Sequence, residues 1–415
     1  MEKTSFTSYQ KLVIALIAIT QFTVILDFMV MSPLGDILMK SLDINPGQFG
    51  IAVSSYAFSA GISGLLAAGF ADKYDRKKLL LFFYVGFIIG TLFCGLAPNY
   101  HFLVAARIIT GLFGGVIGSI GMAIITDIFA IEQRGRVMGT VQMGFAASQV
   151  LGIPIGLYFA NIWGWHAPFL MIVVLSIIIT LVILKNLKPI TKHLELKTER
   201  NVFEHFRHVL AMSNYQVAFA GTALLSVGGF LMMPFGSAFA INNLNISQDQ
   251  LPILFMVTGV SSLIIMPIVG RLSDKFDKFK IFTFGSLWAI VMIIIYTNLT
   301  PVPLWVVLIL NVLLFAGIMS RMIPSTSLMT AIPDMQDRGA FMSINSSLQQ
   351  IAGGIASVFA GYIIVQKDKF SPLENYPVLG YIAAVVMLLC IWLVYRVNVI
   401  VKNKPTPKKA VAETL

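Results

Sequence analysis

Apolar runs of about twenty residues recur along the whole chain, at 12–35, 48–70, 79–97, 102–126, 137–161, 166–186, 215–241, 251–272, 280–299, 303–325, 340–365 and 378–400. Wound as a helix rising about 1.5 Å per residue, a run of that length crosses roughly 30 Å of hydrocarbon. In such a solvent every backbone polar group must be paired, which leaves helices or a closed barrel, and runs this long and continuous are helical. The expectation is an all-α integral membrane protein of twelve transmembrane helices. Composition agrees: 57% of the 415 residues are hydrophobic and 12% charged, too few charges to cover a soluble surface. The first run is longer than a signal-peptide core and has no small-residue cleavage site before Pro33, so it is read as a span.

A formal net charge of +10 would fit a nucleic-acid binder, but the placement of the charge excludes that class. With a cytoplasmic N-terminus, 24 of the 29 Lys and Arg fall in cytoplasmic segments. Lys40, Lys367 and Lys369 lie outside, and Arg107 and Arg321 lie within spans. This asymmetry is the positive-inside pattern, and it places both termini in the cytoplasm.

The chain also repeats itself. Ala71-Asp72-Lys73-Tyr74-Asp75-Arg76-Lys77-Lys78 reads against Ser273-Asp274-Lys275-Phe276-Asp277-Lys278-Phe279-Lys280, 202 positions later. Met31-Ser32-Pro33-Leu34-Gly35 matches Met232-Met233-Pro234-Phe235-Gly236, Leu42-Asp43-Ile44-Asn45 matches Leu244-Asn245-Ile246-Ser247, and Arg134-Gly135 matches Arg338-Gly339. Such matches, in one order at nearly one offset, divide the chain into two six-helix halves, 1–186 and 214–401. The halves are parallel copies related by an axis along the membrane normal. Residues 187–213 are a charged connector ending in an amphipathic helix that carries Val202, Phe206, Val209 and Leu210 on one face, expected at the membrane surface. Residues 402–415 form a basic, disordered tail.

Gly270-Arg271-Leu272-Ser273-Asp274-Lys275-Phe276-Asp277-Lys278 resembles the signature loop of the major facilitator superfamily. The first copy departs further, with Ala68, Phe70 and Asp75 at the pattern's glycine, leucine and second glycine, and Asp277 repeats the last substitution. The resemblance implies the major facilitator fold and a cytoplasmic latch closing the inner face, with Asp72, Arg76, Asp127 and Asp274 as its charged members. Physically, Asp72 can face a helix N-terminus of the other half, and Arg76 can reach Asp127 at the end of the fourth span. A solvated loop that only sets topology is the competing reading. The denser basic cluster makes the first copy the stronger latch.

Asp27 is the single acidic residue well inside a span. A carboxylate at membrane depth is costly and marks a functional site, here one that can load and release a proton. Thr20, Thr23 and Asp27 share a helix face, read as cavity-lining. Arg107, in Arg107-Ile108-Ile109-Thr110-Gly111, lies at similar depth and resembles the superfamily's proton-transfer motif, Arg–x–x–Gln–Gly, with Thr110 in place of glutamine. Arg stays charged, so its part is to tune the carboxylate, unless it merely snorkels to the interface. Gly144, Ser148, Gly152 and Gly156 form a small-residue stripe with Pro154, similar to the antiporter motif of drug exporters of this superfamily. Helix packing explains the same stripe.

Intramembrane amides complete the candidate set: Gln142 and Gln149 in the fifth span, and Asn345, Gln349 and Gln350 beside Ser346, Gly353 and Ser357 in the eleventh. With Thr23 they are taken as substrate-cavity residues. Phe22, Phe28, Met29, Met31, Phe230, Met232, Met233 and Phe235 offer an adaptable apolar lining. Arg321 is read as a gate or interface residue. No nucleotide-binding loop is present, and His101 and His166 have no metal-ligand neighbours, so neither ATP, metal nor other cofactor is expected. The implied function is that of a secondary transporter of a bacterial inner membrane, a monomer that resembles the twelve-span drug:proton antiporters. It would export small amphipathic or cationic compounds and work without enzymatic chemistry. An exporter of sugars, nucleosides or amino-acid derivatives is the alternative. A non-transporting receptor on the same fold would call for a soluble partner domain.

Overall fold

The computed structural model describes residues 6–67, 73–191, 194, 202–334 and 336–403. Asp72 and residues 404–415 therefore lie outside the described residues, and the expectations placed on them go no further. Apart from one bridge between Val365 and Glu374, all regular structure among the described residues is helical. The first half comprises α1 (Ser8–Val30), α2 (Gly35–Leu42), α3 (Pro46–Ala67), α4 (Arg76–Gly95), α5 (Tyr100–Ile128), α6 (Ile131–Ala147), α7 (Ile153–Trp163) and α8 (Ala167–Asn186). After the connector helix α9 (Val202–Ala211) come α10 (Ser213–Phe230), α11 (Gly236–Asn242), α12 (Leu251–Lys275), α13 (Lys278–Thr297), α14 (Leu304–Ala331), α15 (Arg338–Ile363) and α16 (Tyr376–Asn403). The end holding Ser8 and Asn403 is called here the near end, and the opposite one the far end.

The repeat has a local chemical cause at each match. Pro33 and Pro234 lack an N–H, so the helices entering them stop, at Val30 and Phe230, and restart as the short α2 and α11. Asp43 and Asn245 both adopt left-handed backbone, with φ of 55° and 57°. Among side-chain-bearing residues Asp and Asn tolerate that region best, so Asp43 caps α2 and Asn245 turns the chain two residues past the α11 cap, Asn243. Asn45 and Ser247 then accept hydrogen bonds from Gln48 N and Gln250 N and start the next segment. In the charged loops, Asp75 and Asp277 cap α4 and α13, accepting from Lys77 N and from Phe279 N and Lys280 N. The carboxylates that displace the signature's second glycine are therefore N-caps, and they satisfy helix-end donors.

Among the described residues eleven helical segments are long and apolar enough to cross a membrane, where the hydropathy pattern predicts twelve. The remaining segment is α15. It packs on α3, α9 and α10, in the interior between the halves, where lipid does not demand an apolar surface. The fifth crossing is α6 and α7 joined by a π-helical turn, Ser148–Gly152, in which Ile153 N bonds to Ser148 O. Pro154, just after it, cannot donate, and the π turn absorbs the missing bond.

The halves meet along two seams, α3 against α15 and α12 against α7 with its π turn. Repeat equivalence exchanges them, since α12 is the copy of α3 and α15 the copy of α6–α7. Glycines make both seams close. A Cβ on Gly50 would lie 2.6 Å from Ser357 O, one on Gly361 2.7 Å from Pro46 O, and one on Gly259 3.0 Å from Gln149 O. At the far end a single apolar core runs through both halves, with Leu34, Leu38 and Phe49 packed among Phe235, Phe239 and Leu244. At the near end the second half has its own core, built from Val209, Tyr215, Phe219, Phe341 and Val394. α9 is part of that core through Val209 and is anchored by His205 Nε2, 3.5 Å from Asp337 Oδ1, while Leu210 is exposed. Lys402 belongs to the last turn of α16 and bonds Asp277 Oδ2 at 2.7 Å, so helix extends into the segment assigned to the tail. The Lys402 ammonium and the N–H groups of Lys280 and Phe279 hold the Asp277 carboxyl below its usual range.

Candidate functional site

α1 and α5 cross inside the first half so that Asp27, one turn before the end of α1, meets Arg107, two turns into α5. Arg107 Nη1 lies 2.7 Å from Asp27 Oδ2, and both side chains are fully buried. Thr91 of α4 donates to Asp27 Oδ1 at 3.1 Å. The guanidinium carbon lies 4.6 Å from the centre of the Tyr56 ring on α3, in cation–π position. Arg107 Nε and Nη2 are buried without hydrogen-bond partners. Four helices thus converge on one buried charge pair, the arrangement in which removal of either charge is costly.

Gly111 explains how this is possible. A Cβ there would lie 2.1 Å from Ser59 Oγ and 2.4 Å from Tyr56 O, so only glycine lets α5 approach α3 closely enough to bring Arg107 over the ring. Gly111→Val should therefore destabilise the fold by about 1–3 kcal/mol or more through overpacking. Thermal unfolding of the purified protein would register it, and an unchanged transition would rule out the close approach. Thr110 donates to Ala106 O within its own helix.

Thr20 and Thr23 do share a face with Asp27, but that face is buried rather than cavity-lining. Thr23 is 0% exposed, donates to Thr20 O and bonds the Tyr84 hydroxyl of α4 at 2.9 Å. Gly144, Gly152 and Gly156 bring the fifth crossing against α1; Cβ atoms there would lie 2.6 Å from Ala18 O, 2.7 Å from Leu26 Cδ1 and 3.4 Å from Val30 Cγ2. The stripe therefore packs directly on the helix that carries Asp27.

The amides are dispersed. Gln142 and Gln349 are exposed, Gln149 and Gln350 half-buried, and none of the five bonds another. Asn345 Oδ1 is buried and unpaired. Ser357 is fully buried, with its backbone against Gly50, so that part of the polar stripe belongs to the α3–α15 seam. Met31 and Phe235 are fully buried in far-end packing and line nothing, whereas Phe28 and Phe230 meet across the halves at 5.8 Å. Arg321 is not between the halves. It is 4% exposed, donates to Ser286 Oγ of α13 and sits 5.8 Å from the Phe282 ring, inside the second half.

At the near end, Arg76 pairs with Asp127 at 3.1 Å, and Arg134 closes the end of α5 by donating to Phe129 O and Thr126 O. These contacts stay within the first half. Asp274 is exposed and forms no ion pair among the described residues. Thr91 and Tyr56 escaped the sequence reading. Thr91 is one of many threonines, and nothing along the chain marks which ring will cover a guanidinium.

Two repeat-related helical halves, meeting on an axis through the bilayer and carrying charge buried among the helices, have the architecture of a membrane transporter. The chain belongs to the major facilitator superfamily: a family model described as Major Facilitator Superfamily matches residues 17–335 and 218–414. It is similar to the MFS-type transporter YbcL of Bacillus subtilis (strain 168), 24% identical over 91% of this chain and 95% of the relative. It is also similar to a probable sugar efflux transporter of Helicobacter pylori (strain G27), 23% identical over 86% and 90%. Among solved structures, a D-xylose–proton symporter shares the fold with a TM-score of 0.75, at 17% identity over 92% of this chain and 97% of that one. The protein is thus a multi-pass membrane transporter.

Proposed function

We propose that this transporter exchanges small amphipathic or cationic compounds for protons across a bacterial inner membrane. In this reading α15 is the twelfth span, both termini and the near end face the cytoplasm, and Asp27 is the proton-exchanging group. The carrying observation is the Asp27–Arg107 pair, fully buried in the far third of the first half and covered by Tyr56. Protonation of Asp27 removes one of two opposite charges and leaves Arg107 held by the Tyr56 face. The tie of α1 to α5 is then weakened from an ion pair to hydrogen bonds from Arg107 Nη1 to the neutral carboxyl and to Asp27 O, 3.4 Å away. Because α1 runs through the Met31–Leu34 break into α2, a change at Asp27 reaches the far-end contacts between the halves within a few residues. A cationic substrate drawn to the same carboxylate competes with the proton, and exchange follows from that competition.

The alternative cargo is a sugar, nucleoside or amino-acid derivative. Its support is the half-exposed amides of α15 and the sugar-efflux relative. Proteoliposomes with an imposed pH gradient, tested against a fluorescent cationic dye and a panel of sugars, nucleosides and amino acids, separate the two. Gradient-driven dye movement supports the first reading. Movement of a panel solute alone supports the second, and flux of none refutes both.

A further inference from the structure

The far end holds a second buried carboxylate that the exchange reading does not use. Asp36 of α2 is 1% exposed. Within its own half Lys40 Nζ pairs with Oδ2 at 2.8 Å, one helical turn on. From the other half Asn242 of α11 donates to Oδ1 at 2.7 Å and Gln248 donates to Oδ2 at 3.3 Å, while Lys40 donates to Asn242 Oδ1 at 3.3 Å. Asn161 of α7 holds Gln248 through its backbone carbonyl at 3.0 Å.

Lys40 and Asn242 are repeat equivalents, 202 positions apart, and they touch. So do Ser32 and Met233, through the Ser32 hydroxyl and the Met233 carbonyl, and Ser237 donates back to Ser32 O at 2.8 Å. Equivalent residues touch only where a two-fold axis passes between them, so the pseudo-axis leaves the bundle here. Any rocking of one half against the other must part these contacts. The two copies differ in charge: α2 carries Asp36 and Lys40, whereas α11, Gly236–Asn242, carries no charged residue.

We propose that Asp36, Lys40, Asn242 and Gln248 form the buried part of the far-end gate of the transport cycle, held by neutral amides on a carboxylate, while the ion pair that also joins the halves there, Asp43 with Lys369 at 3.0 Å, lies exposed to solvent. Lys40 neutralises Asp36 inside its own half, so parting this buried cluster separates no net charge and strands no buried ion. A buried ion pair split between the halves would leave two unpaired charges on opening, whereas Asp43 and Lys369 are already in contact with water and part at little cost. A cavity of about 230 Å³, lined by Asp36, Lys40, Asp43, Gln48 and Lys369, adjoins the gate. Asp43, on its rim, is largely exposed, so water can solvate the groups an opening frees.

The assignment rests on the alternating-access reading, and its test requires neither substrate nor proton gradient. Ser237→Cys places a thiol in the gate of the purified protein in nanodiscs, with a bulky hydrophilic maleimide as probe. Cys94 and Cys390 are both fully buried and set the background. Asp36→Ala should raise the labelling rate by about tenfold or more, since the closed state loses its cross-half acceptor. Asn242→Asp, which sets a second carboxylate against the first, should do the same. The exchange Asp36→Asn with Asn242→Asp restores one carboxylate facing one amide and gives Lys40 a partner, now across the halves, so labelling should fall back to the parent rate or below it. If Asp36→Ala does not fold, Asn242→Ala removes only a half-buried amide and must still speed labelling. Unchanged labelling in the single variants, or an exchange variant that stays fast, overturns the gate. Proton-independent flux with an intact gate would instead refute the Asp27 reading alone.

Discussion

Asp27→Asn should stop proton-driven transport while leaving a folded protein. The amide is nearly isosteric with a protonated carboxyl, and its oxygen can still accept from Arg107 Nη1, which lies 2.7 Å from Asp27 Oδ2 in the parent. It cannot exchange a proton. Flux driven by a pH gradient should drop by roughly a hundredfold or more, the scale a positioned proton-transfer group contributes. Binding of a transported cation should become independent of pH and weaken, because the charge it seeks is gone. The measurement is gradient-driven flux in proteoliposomes beside equilibrium binding across pH 5 to 9. Undiminished, still pH-dependent flux would remove Asp27 from the mechanism.

Arg107→Met should be the most destabilising of the site substitutions, by about 3–5 kcal/mol, because it leaves a buried carboxylate without its cation. The second change Asp27→Leu should return most of that loss, since replacing a buried pair by packed apolar groups is often neutral or stabilising. Transport should not return with it. Thermal unfolding of the two single variants and the double variant closes the cycle, and additive losses would mean that the 2.7 Å contact carries no coupling. A recovered fold without recovered flux separates what the pair does for stability from what it does for transport. The cation–π contact of Arg107 with Tyr56 bears on the same result: it remains with the guanidinium when the carboxylate is neutral.

Much of the fold was legible along the chain because its causes are local. Pro33 and Pro234 stop helices wherever they occur, and Asp43 and Asn245 turn the chain left-handed by their own side-chain chemistry. The hydropathy pattern missed the character of α15 for a stated reason: it assumes lipid around every span, and α15 lies against α3 and α10. The candidate site was legible in part. Asp27 and Arg107 stood out because charge is rare in a span, and equal depth made their meeting a fair expectation. Asp36 did not stand out. It sits just past a span end, beside Lys40, where charge is ordinary, and only burial against Asn242 and Gln248 distinguishes it. Thr23 misled in the opposite sense, since a polar residue beside a functional carboxylate can bond a neighbouring hydroxyl as readily as it can line a cavity.

By itself the sequence determined the class of solvent, the number and order of the long apolar segments, the duplication and the depth of each charged residue. All of these follow from composition and spacing along one strand of chain. The tertiary structure decided which side chains at equal depth meet: Asp27 with Arg107 rather than with lipid, Tyr56 over the guanidinium, and Asp36 on the amides of the other half. Distances between helices depend on how closely backbones approach, as Gly111 against Ser59 and Gly50 against Ser357 show, and that approach is a property of two surfaces together.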